Sequence, residues 1–518
     1  MTALQIAVGS VLAASGWWLT RWVAGAPLRM RSSLVLDAAL PVSVFAALVA
    51  ASARPGFAGA ATLALGAGFA FSDWRKRAAL AEPIVVSDVF LSRDIFRHPA
   101  VAVPFPDTAR VMSGVGVAVA ACTALYVLET PAWNWTPWPV LALLTTVLVL
   151  MWVLSGPLNA VCGKALRRLQ PTGDPTDDGA AFGSIATLLI YGIVARAERA
   201  QLRAPAGVPV AMHRCQPRLA PLVLVQCESF FDVRRVHPSV YRDLLPNLDR
   251  RRGESLQWGH LTVPSWGANT VRTEFAVLTG MPETAIGFDK FNPYQAFARA
   301  PIQSLVWELR AQGYRTVCVH PFDRRFYGRD KVMRNLGFDE FLGEEAFAGA
   351  QRIGAFVADV EVARFVAELL AQQGNDLFVF AVTMENHGPW PAEAAGRSAG
   401  AAAVRWHDFA LPAAEQRAFT GFLEGVRNAD AMLGMLSESL ARHAPGGLLA
   451  MYGDHLPSFP ETFRSLGFAD RRSDYLLWRA NNCGAGMRKD LAAQHLMGDI
   501  LAASPRTQAI VTRTESLA

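Results

Sequence analysis

Long apolar stretches dominate the first third of the chain, whereas charged residues are concentrated in the remainder. Residues 1–72 contain five charged side chains, and residues 111–163 contain one, Glu129. A helix needs roughly 20 apolar residues to cross a bilayer. Five segments come close to this length, namely residues 3–24, 33–53, 56–73, 110–129 and 137–156. The pattern predicts a multi-pass membrane anchor of about five helices over residues 1–160.

Two further stretches have patterns that are typical of the membrane interface. Residues 83–96 mix apolar side chains with Asp88 and Arg93, which favours a helix lying in the headgroup region. Residues 182–195 are apolar but short for a span, so we expect a surface elbow there. Residues 161–204 are then a linker between the membrane anchor and a water-soluble domain.

The rest of the chain alternates short apolar runs with helical patterns. The runs are residues 222–226, 316–320, 377–383 and 448–452, and helical periodicity covers residues 302–312 and 360–373. Continuous apolar runs of this length are typical of strands that are buried on both faces. Such alternation predicts an α/β domain with a mostly parallel central sheet over residues 205–505. Residues 506–518 are predicted to be a C-terminal tail.

Acidic and histidine side chains follow all four predicted strands. They are Glu228, His320, Glu385 with His387, and the adjacent pair Asp454 and His455. Ligands of such sheets bind at the carboxyl ends of the strands, where these side chains would meet. Carboxylates and imidazoles that converge in this way suit a divalent cation such as Mn²⁺, Mg²⁺ or Zn²⁺.

Thr270 precedes a further helical pattern, and two interpretations of it stay open. Asn269 or Thr270 can serve as the N-cap of the helix that begins here. Alternatively, the Thr270 hydroxyl lies in the positive potential of the helix N-terminus. If a metal ion also bound it, this hydroxyl could attack phosphorus.

Composition and charge exclude several classes of function. The chain is 52% apolar and 18% charged, which excludes a disordered or coiled-coil protein. A net charge of +5, with no basic block interleaved with aromatic residues, argues against a nucleic-acid partner. The six cysteines show no metal-like spacing, and we assign no disulfide.

Basic loops give a first indication of orientation. Most of the positive charge near the spans lies in residues 21–31, 75–97 and 164–168. With five spans, all three stretches fall on the side that carries the water-soluble domain. The positive-inside rule alone would therefore place that domain in the cytoplasm.

Several motifs together resemble the lipoteichoic acid synthase branch of the alkaline phosphatase/sulfatase superfamily. They are Glu228, the element Thr270-x-x-x-Glu274-Phe275, the stretch FYGRDKVMRNLGFD from Phe326, NHGPW and GDH. The resemblance covers about residues 220–470. It implies that a threonine attacks phosphatidylglycerol, releases diacylglycerol and passes glycerophosphate to an acceptor hydroxyl.

The resemblance also implies a role for individual residues. Thr270 would be the nucleophile, and it would join Glu228, Asp454 and His455 around one divalent ion, Mn²⁺ or Mg²⁺, with Zn²⁺ as a further option. The substrate-binding residues would be His320, Tyr327, Arg329 and His387. Tyr327 stands where that family has a tryptophan. Arg272 departs from the small and acidic residues that usually follow the nucleophile, and we expect it to be a surface charge rather than a phosphate contact.

The implied partners are phosphatidylglycerol as donor, a glycan or glycolipid as acceptor, and the lipid bilayer. The implied location is the inner membrane with the catalytic domain in the periplasm, against the loop charges. A phosphoethanolamine transferase acting on lipid A or a glycan is an alternative, because Asp323 or Glu385 could hold an ammonium group. A sulfatase-like hydrolase and a non-catalytic membrane scaffold are further alternatives. The C/S-x-P-x-R element of sulfatases does not occur at the nucleophile position.

Overall fold

The computed structural model describes residues 2–26, 32–88, 108–134, 158–199, 219–390, 411–481 and 486–504, with a few isolated positions between 97 and 156. These residues divide into two compact units, one formed by helices up to residue 199 and the other by residues from 219 onward. They are called the membrane unit and the α/β unit below.

Four helices of the membrane unit are long and apolar enough to cross a bilayer. They are α1 (Thr2–Ala24), α2 (Ser32–Ser52), α3 (Pro55–Leu80) and α4 (Thr108–Leu128). They confirm four of the five predicted spans. The fifth, residues 137–156, lies largely outside the described residues, and the predicted interfacial stretch 83–96 is described only as far as residue 88.

Helices α1 and α3 pack closely through glycines. A Cβ atom on Gly59 would lie 2.3 Å from the Gly9 carbonyl oxygen, and one on Gly66 would lie 2.6 Å from that of Gly16. Both contacts advance by seven residues in the same direction, so the two helices run parallel, as first and third spans must. Small residues let backbones approach, which is how helices gain packing energy in lipid.

The membrane unit also has three shorter helices, α5 (Asn159–Arg167), α6 (Pro175–Phe182) and α7 (Ser184–Arg199), and a sharp bend separates the last two. Helices α6 and α7 meet at 119° around Gly183, whose φ is +98°. A Cβ there would lie 2.4 Å from Asp37 Oδ1, so only glycine fits. Helix α7 packs against α2 and α5 and buries Ile190 and Val194. Residues 182–195 therefore include a sharp bend at Gly183 and a helix that packs against the membrane unit.

The α/β unit is built on a sheet of nine strands among the described residues. The strands are β1 (Leu222–Cys227), β2 (Gln257–Thr262), β3 (Arg315–Val319), β4 (Glu340–Leu342), β7 (Leu377–Val382), β8 (Leu448–Gly453), β9 (Ser473–Arg479), β10 (Met487–Arg488) and β11 (Leu491–Ala492). Two short strands, β5 (Arg352–Ile353) and β6 (Phe356–Val357), pair separately.

Five neighbouring strands, in the order β8-β1-β7-β3-β4, run parallel. Strand β9 lies antiparallel between β8 and β2. The four strands predicted from apolar runs are β1, β3, β7 and β8, so the prediction of a mostly parallel sheet is confirmed. In the register, Gln226 lies between Val382 and Tyr452, which brings the carboxyl ends of β1, β7 and β8 to one edge.

Helices cover both faces of the sheet. They are α8 (Pro246–Glu254), α9 (Thr270–Thr279), α10 (Glu283–Ile286), α11 (Pro293–Phe297), α12 (Leu305–Ala311), α13 (Arg329–Leu336), α14 (Asp359–Gln373), α15 (Ala413–His443), α16 (Pro460–Ser465) and α17 (Ala493–Ala503). Alternate residues of β1 enter two separate cores: Val223 and Val225 pack with α14 and α15, and Leu222 and Leu224 with α9 and α17. The predicted helices 302–312 and 360–373 correspond to α12 and α14.

Candidate active site

Glu228, Asp454 and His455 meet at the carboxyl edge of the sheet. Each offers one ligand atom, and these atoms all lie within 4.8 Å of one another. His455 Nε2 is 3.3 Å from Asp454 Oδ2 and 3.6 Å from Glu228 Oε1. Because Cys227 pairs with Gly453 across β1 and β8, the residues that follow these two strands become neighbours. All three side chains are buried.

One atom of this group indicates that a cation belongs there. Asp454 Oδ1 accepts hydrogen bonds from the backbone N–H groups of Ser229 and His455, at 2.8 and 2.9 Å. Asp454 Oδ2 is buried and accepts no hydrogen bond of normal geometry from the described residues, although His455 Nε2 lies 3.3 Å away. Leaving such an oxygen unpaired costs about 1–3 kcal/mol or more. A divalent cation among the three side chains would satisfy it, and the mixed oxygen and imidazole donors suit Mn²⁺, Mg²⁺ or Zn²⁺.

Electrostatics of the metal-free group agree with this fit. Burial, followed by repulsion from Glu228, raises the pKa of Asp454 to about 7. Burial alone would lower the pKa of His455, but the neighbouring Asp454 and Glu228 carboxylates raise it above its ordinary value. The group therefore holds protons that a bound cation would displace.

Thr270 is the first residue of α9, and its hydroxyl faces this group. Thr270 Oγ1 lies 3.4 Å from His455 Nε2. Asn269 occupies the N-cap position in the left-handed region, with φ +67°, and its side chain makes no capping hydrogen bond. Of the two interpretations left open by the sequence, the geometry favours the one in which Thr270 belongs to the site.

Three hydroxyl side chains support the group, and sequence reasoning missed them. Ser229 Oγ donates to Glu228 Oε1 at 2.8 Å. Thr273 Oγ1 donates to the Asp454 carbonyl at 2.6 Å, and Thr383 Oγ1 accepts from the Glu228 backbone N–H at 3.2 Å. The position of Thr273, one helical turn after Thr270, was the signal that could have identified it.

Arg329 lies in a buried ion pair. Its Nε and one terminal nitrogen donate to the two carboxylate oxygens of Glu274, at 3.1 and 2.8 Å. Its other terminal nitrogen is 3.4 Å from His320 Nε2. The half-buried Tyr327 ring lies 5.3 Å from the guanidinium. The structure thus brings Arg329, His320 and Tyr327 together.

His320 is neutral in this setting. Burial, reinforced by the Arg329 charge, holds the pKa of His320 well below its usual value. Its Nδ1 lies 3.3 Å from the Val382 carbonyl, which accepts a hydrogen bond from the neutral ring. Nε2 is then left as an acceptor toward Arg329.

His387 has different neighbours: its Nδ1 lies 2.6 Å from the Gly388 carbonyl, and its ring faces Phe356.

The expectation that Arg272 is a surface charge is wrong. Arg272 is only 8% exposed and donates to Glu283 Oε1 from two nitrogens, at 2.9 and 2.6 Å. Glu283 comes just beyond the end of α9, where the chain turns back along the helix. The guanidinium is thereby paired away from solvent.

Comparisons with known proteins identify the family of this chain. Residues 221–507, more than half of the chain, match the family model described as Sulfatase. The capsular polysaccharide biosynthesis protein RkpI of Rhizobium meliloti (strain 1021) is 30% identical over 475 residues, which cover 87% of this chain and 82% of that protein. A putative cyclic beta-1,2-glucan modification protein of the same organism is 30% identical over 266 residues, which cover 51% of this chain and 39% of that protein.

A solved structure shows the same fold along nearly the whole chain. It is the integral membrane protein lipooligosaccharide phosphoethanolamine transferase A (EptA) from Neisseria meningitidis, with a TM-score of 0.55 and 12% identity, over 96% of this chain and 95% of that one. This likeness confirms the predicted fold class, a helical membrane part followed by an α/β domain. The chain belongs to the sulfatase family.

Proposed function

We propose that this protein is a membrane-anchored, metal-dependent phosphoglycerol transferase. It moves glycerophosphate from phosphatidylglycerol to an envelope glycan or glycolipid, through a covalent phosphothreonine-type intermediate on Thr270. The observation that carries this proposal is the position of the Thr270 hydroxyl. It stands at the N-terminus of α9, 3.4 Å from His455 and beside the buried group that includes Glu228 and Asp454.

The first step forms a bond between Thr270 Oγ1 and phosphorus of the donor lipid. The bond from phosphorus to the diacylglycerol oxygen breaks, and diacylglycerol leaves as an alcohol after taking up a proton. A divalent cation held by Glu228, Asp454, His455 and the threonine oxygen would lower the pKa of the hydroxyl and offset negative charge at phosphorus. The N-terminus of α9 contributes positive potential at the same place.

The second step reverses the first with a different alcohol. An acceptor hydroxyl attacks phosphorus of the adduct, and the bond to Thr270 breaks, which restores the free threonine. Because the adduct forms before the acceptor reacts, the proposal implies ping-pong kinetics with early release of diacylglycerol.

The choice of glycerol over ethanolamine is supported by carboxylates that are already occupied. Asp323 Oδ2 accepts from Arg325 at 2.8 Å. Glu385 accepts from the Asp359 backbone N–H at 2.7 Å and from Asn428 at 2.6 Å. An ammonium group prefers a carboxylate or an aromatic face, whereas glycerol hydroxyls can use neutral partners such as a phenol or an imidazole.

The acceptor and the cellular location are proposed from the relatives and the membrane unit. Both Rhizobium proteins are named for work on polysaccharide or glucan, which supports an envelope glycan as the acceptor. Four candidate spans would anchor the chain in the bilayer that contains a lipid donor. We place the catalytic domain on the periplasmic face of the inner membrane.

A phosphoethanolamine transferase is the second candidate, because the fold match along the whole chain is to an enzyme of that name. A sulfatase-like hydrolase fits less well, since Thr270 stands where formylglycine chemistry needs cysteine or serine. A non-catalytic scaffold would have no use for the buried group around Asp454.

Diacylglycerol release from defined vesicles tests the proposal. The full chain, reconstituted with Mn²⁺, should release diacylglycerol from phosphatidylglycerol in preference to phosphatidylethanolamine. Thr270→Ala should abolish release and labelling of the chain by glycerophosphate, whereas Thr270→Ser should retain part of both. Thr279→Ala, at the other end of α9, is the matched control, because among the described residues Thr279 Oγ1 bonds to the Phe275 carbonyl and the Met281 backbone N–H alone. Release from phosphatidylethanolamine alone would overturn the head group, and release unaffected by Thr270→Ala would overturn the mechanism.

A further inference from the structure

Glu274 is the centre of a buried polar network behind the nucleophile. Its side chain is fully buried and accepts four hydrogen bonds. Oε1 accepts from the Tyr294 hydroxyl and from Arg329 Nε, and Oε2 accepts from Gln226 Nε2 at 3.0 Å and from an Arg329 terminal nitrogen at 2.8 Å. Each carboxylate oxygen therefore accepts two hydrogen bonds, which fix the position of the Glu274 side chain.

Glu274 shares a helix face with the nucleophile. Thr270 and Glu274 are four residues apart on α9, so their side chains lie one turn apart on the same side. The same helix thus sets the distance between the attacking hydroxyl and the Glu274–Arg329 pair. The negative charge of Glu274 therefore affects the binding of any anion at the Arg329 guanidinium.

The remaining donors of Arg329 match an anion with two oxygens. A guanidinium has five N–H groups. Two are directed at Glu274 and one at His320 Nε2. One N–H on each terminal nitrogen is not used by these contacts, and a pair of that kind fits two phosphate oxygens. Arg329 can thus still donate two hydrogen bonds to an anion, but its positive charge is already paired with Glu274.

We propose that Glu274 is a positioning residue that sets substrate charge: by pairing Arg329, it makes the site accept a phosphodiester monoanion and discriminate against a phosphomonoester dianion. This inference rests on the proposed function only in assuming that Arg329 contacts the phosphate. Buried charges interact strongly at short distances, and the Arg329 charge is already paired, so Glu274 repels the second negative charge of a monoester. The donor lipid and the adduct on Thr270 are both monoanionic diesters, whereas free glycerophosphate and inorganic phosphate are largely dianions at neutral pH.

Two soluble esters measure this discrimination without any lipid. The ratio of kcat/KM for bis(p-nitrophenyl) phosphate to that for p-nitrophenyl phosphate is determined on the full chain in detergent with Mn²⁺. Glu274→Gln leaves Arg329 unpaired and should lower the ratio by about tenfold or more. Arg329→Gln leaves Glu274 unpaired and should raise it. The double variant removes both charges and should return the ratio toward that of the wild type, at a lower rate.

The chain supplies a control pair on the helix that carries Glu274. Arg272 of α9 is buried and pairs with the partly buried Glu283 of α10, at 2.6 Å. Glu283→Gln should cost stability but leave the diester-to-monoester ratio unchanged. Glu274→Asp keeps the charge and should retain most of the discrimination, with its effect confined to KM.

Loss of folding in one variant still leaves the inference testable. Glu274→Gln and Arg329→Gln predict opposite shifts, so either one that folds decides the sign. For a folded but inactive variant, thermal stabilisation by dimethyl phosphate is compared with that by inorganic phosphate. An unchanged ratio in Glu274→Gln, or a wild-type preference for the monoester, would overturn the inference. Failure to release diacylglycerol from phosphatidylglycerol, with the charge pattern intact, would instead overturn the proposed lipid donor.

Discussion

Asp454 connects the candidate metal site to the pH dependence of folding. Burial and the neighbouring Glu228 raise its pKa to about 7 in the metal-free protein, above the value of about 3.9 for an unfolded chain. The folded state therefore binds the proton more tightly. This contribution to stability is fully present below about pH 4 and is lost as pH rises toward 7.

The metal-free protein should consequently become less stable between about pH 4 and 7, by up to about 1.4 kcal/mol per pH unit. Thermal unfolding in EDTA measures this slope. Asp454→Asn should flatten the slope, because the amide does not titrate, and Mn²⁺ should stabilise the wild type at pH 7 far more than the variant. Identical slopes in the two proteins would show that Asp454 does not hold the proton.

Thr273 gives a second test at the scale of a single side chain. Its hydroxyl donates to the Asp454 carbonyl at 2.6 Å and joins α9 to the loop after β8. Thr273→Val keeps the shape but leaves a buried carbonyl without this donor, so we expect a loss of about 1–3 kcal/mol in the free energy of unfolding. Transfer activity should fall as well, because the hydrogen bond holds Thr270 and Asp454 in register. Thr279→Val should lose stability without a specific loss of activity.

Some of these site residues could be predicted from the sequence and others could not, and the reason is how the fold positions each of them. Glu228, Asp454 and His455 directly follow strands whose apolar runs are unmistakable, and parallel strands bring such residues to one edge. The Glu274–Arg329 pair joins residues 55 positions apart on two helices. Nothing local marks which carboxylate an arginine will meet, and for the same reason Arg272 was misassigned to the surface.

Among the elements, the strands in the middle of the sheet were predictable and the outer ones were not. Strands β1, β7 and β8 are buried along their whole length, so each reads as an unbroken apolar run. Strand β2 has the sequence QWGHLT and is only partly buried, and β9 begins with Ser473 and Asp474. Their pairing depends on partners far along the chain, which an apolar pattern does not encode.

The close packing of α1 and α3 can be tested by substituting two glycines of α3, one that contacts α1 and one that does not. Gly59→Leu places a side chain where a Cβ alone would lie 2.3 Å from the Gly9 backbone. It should separate the helices and lower the midpoint of thermal unfolding in detergent. Gly68→Leu adds the same side chain where no described residue lies within 4 Å of the new Cβ, and it should leave the midpoint unchanged. Equal midpoints for the two variants would contradict the close contact.

At the scale of the whole molecule, the open question is which side of the membrane carries the α/β unit. The basic loops count toward a cytoplasmic position, but several of these side chains have structural partners. Arg21 lies 2.7 Å from the buried Asp37, Arg77 lies 2.8 Å from Asp73, and Lys76 contacts Asp88 at 2.7 Å. Charges with such structural partners have a reason to occupy these positions on either side of the membrane.

We therefore predict export of the α/β unit, since a lipid donor and a glycan acceptor are both reached from the periplasm under the proposed function. Large domains cross the membrane with only partial dependence on nearby Lys and Arg. An alkaline phosphatase reporter fused after residue 518 should be active, and a green fluorescent protein fused there should be dark. With five spans, residue 54 between α2 and α3 lies on the opposite side from residue 518, so fusions there should show the reverse pattern. A cytoplasmic signal after residue 518 would overturn the location and, with it, the envelope glycan as acceptor, while leaving the chemistry of Thr270 to be tested on its own.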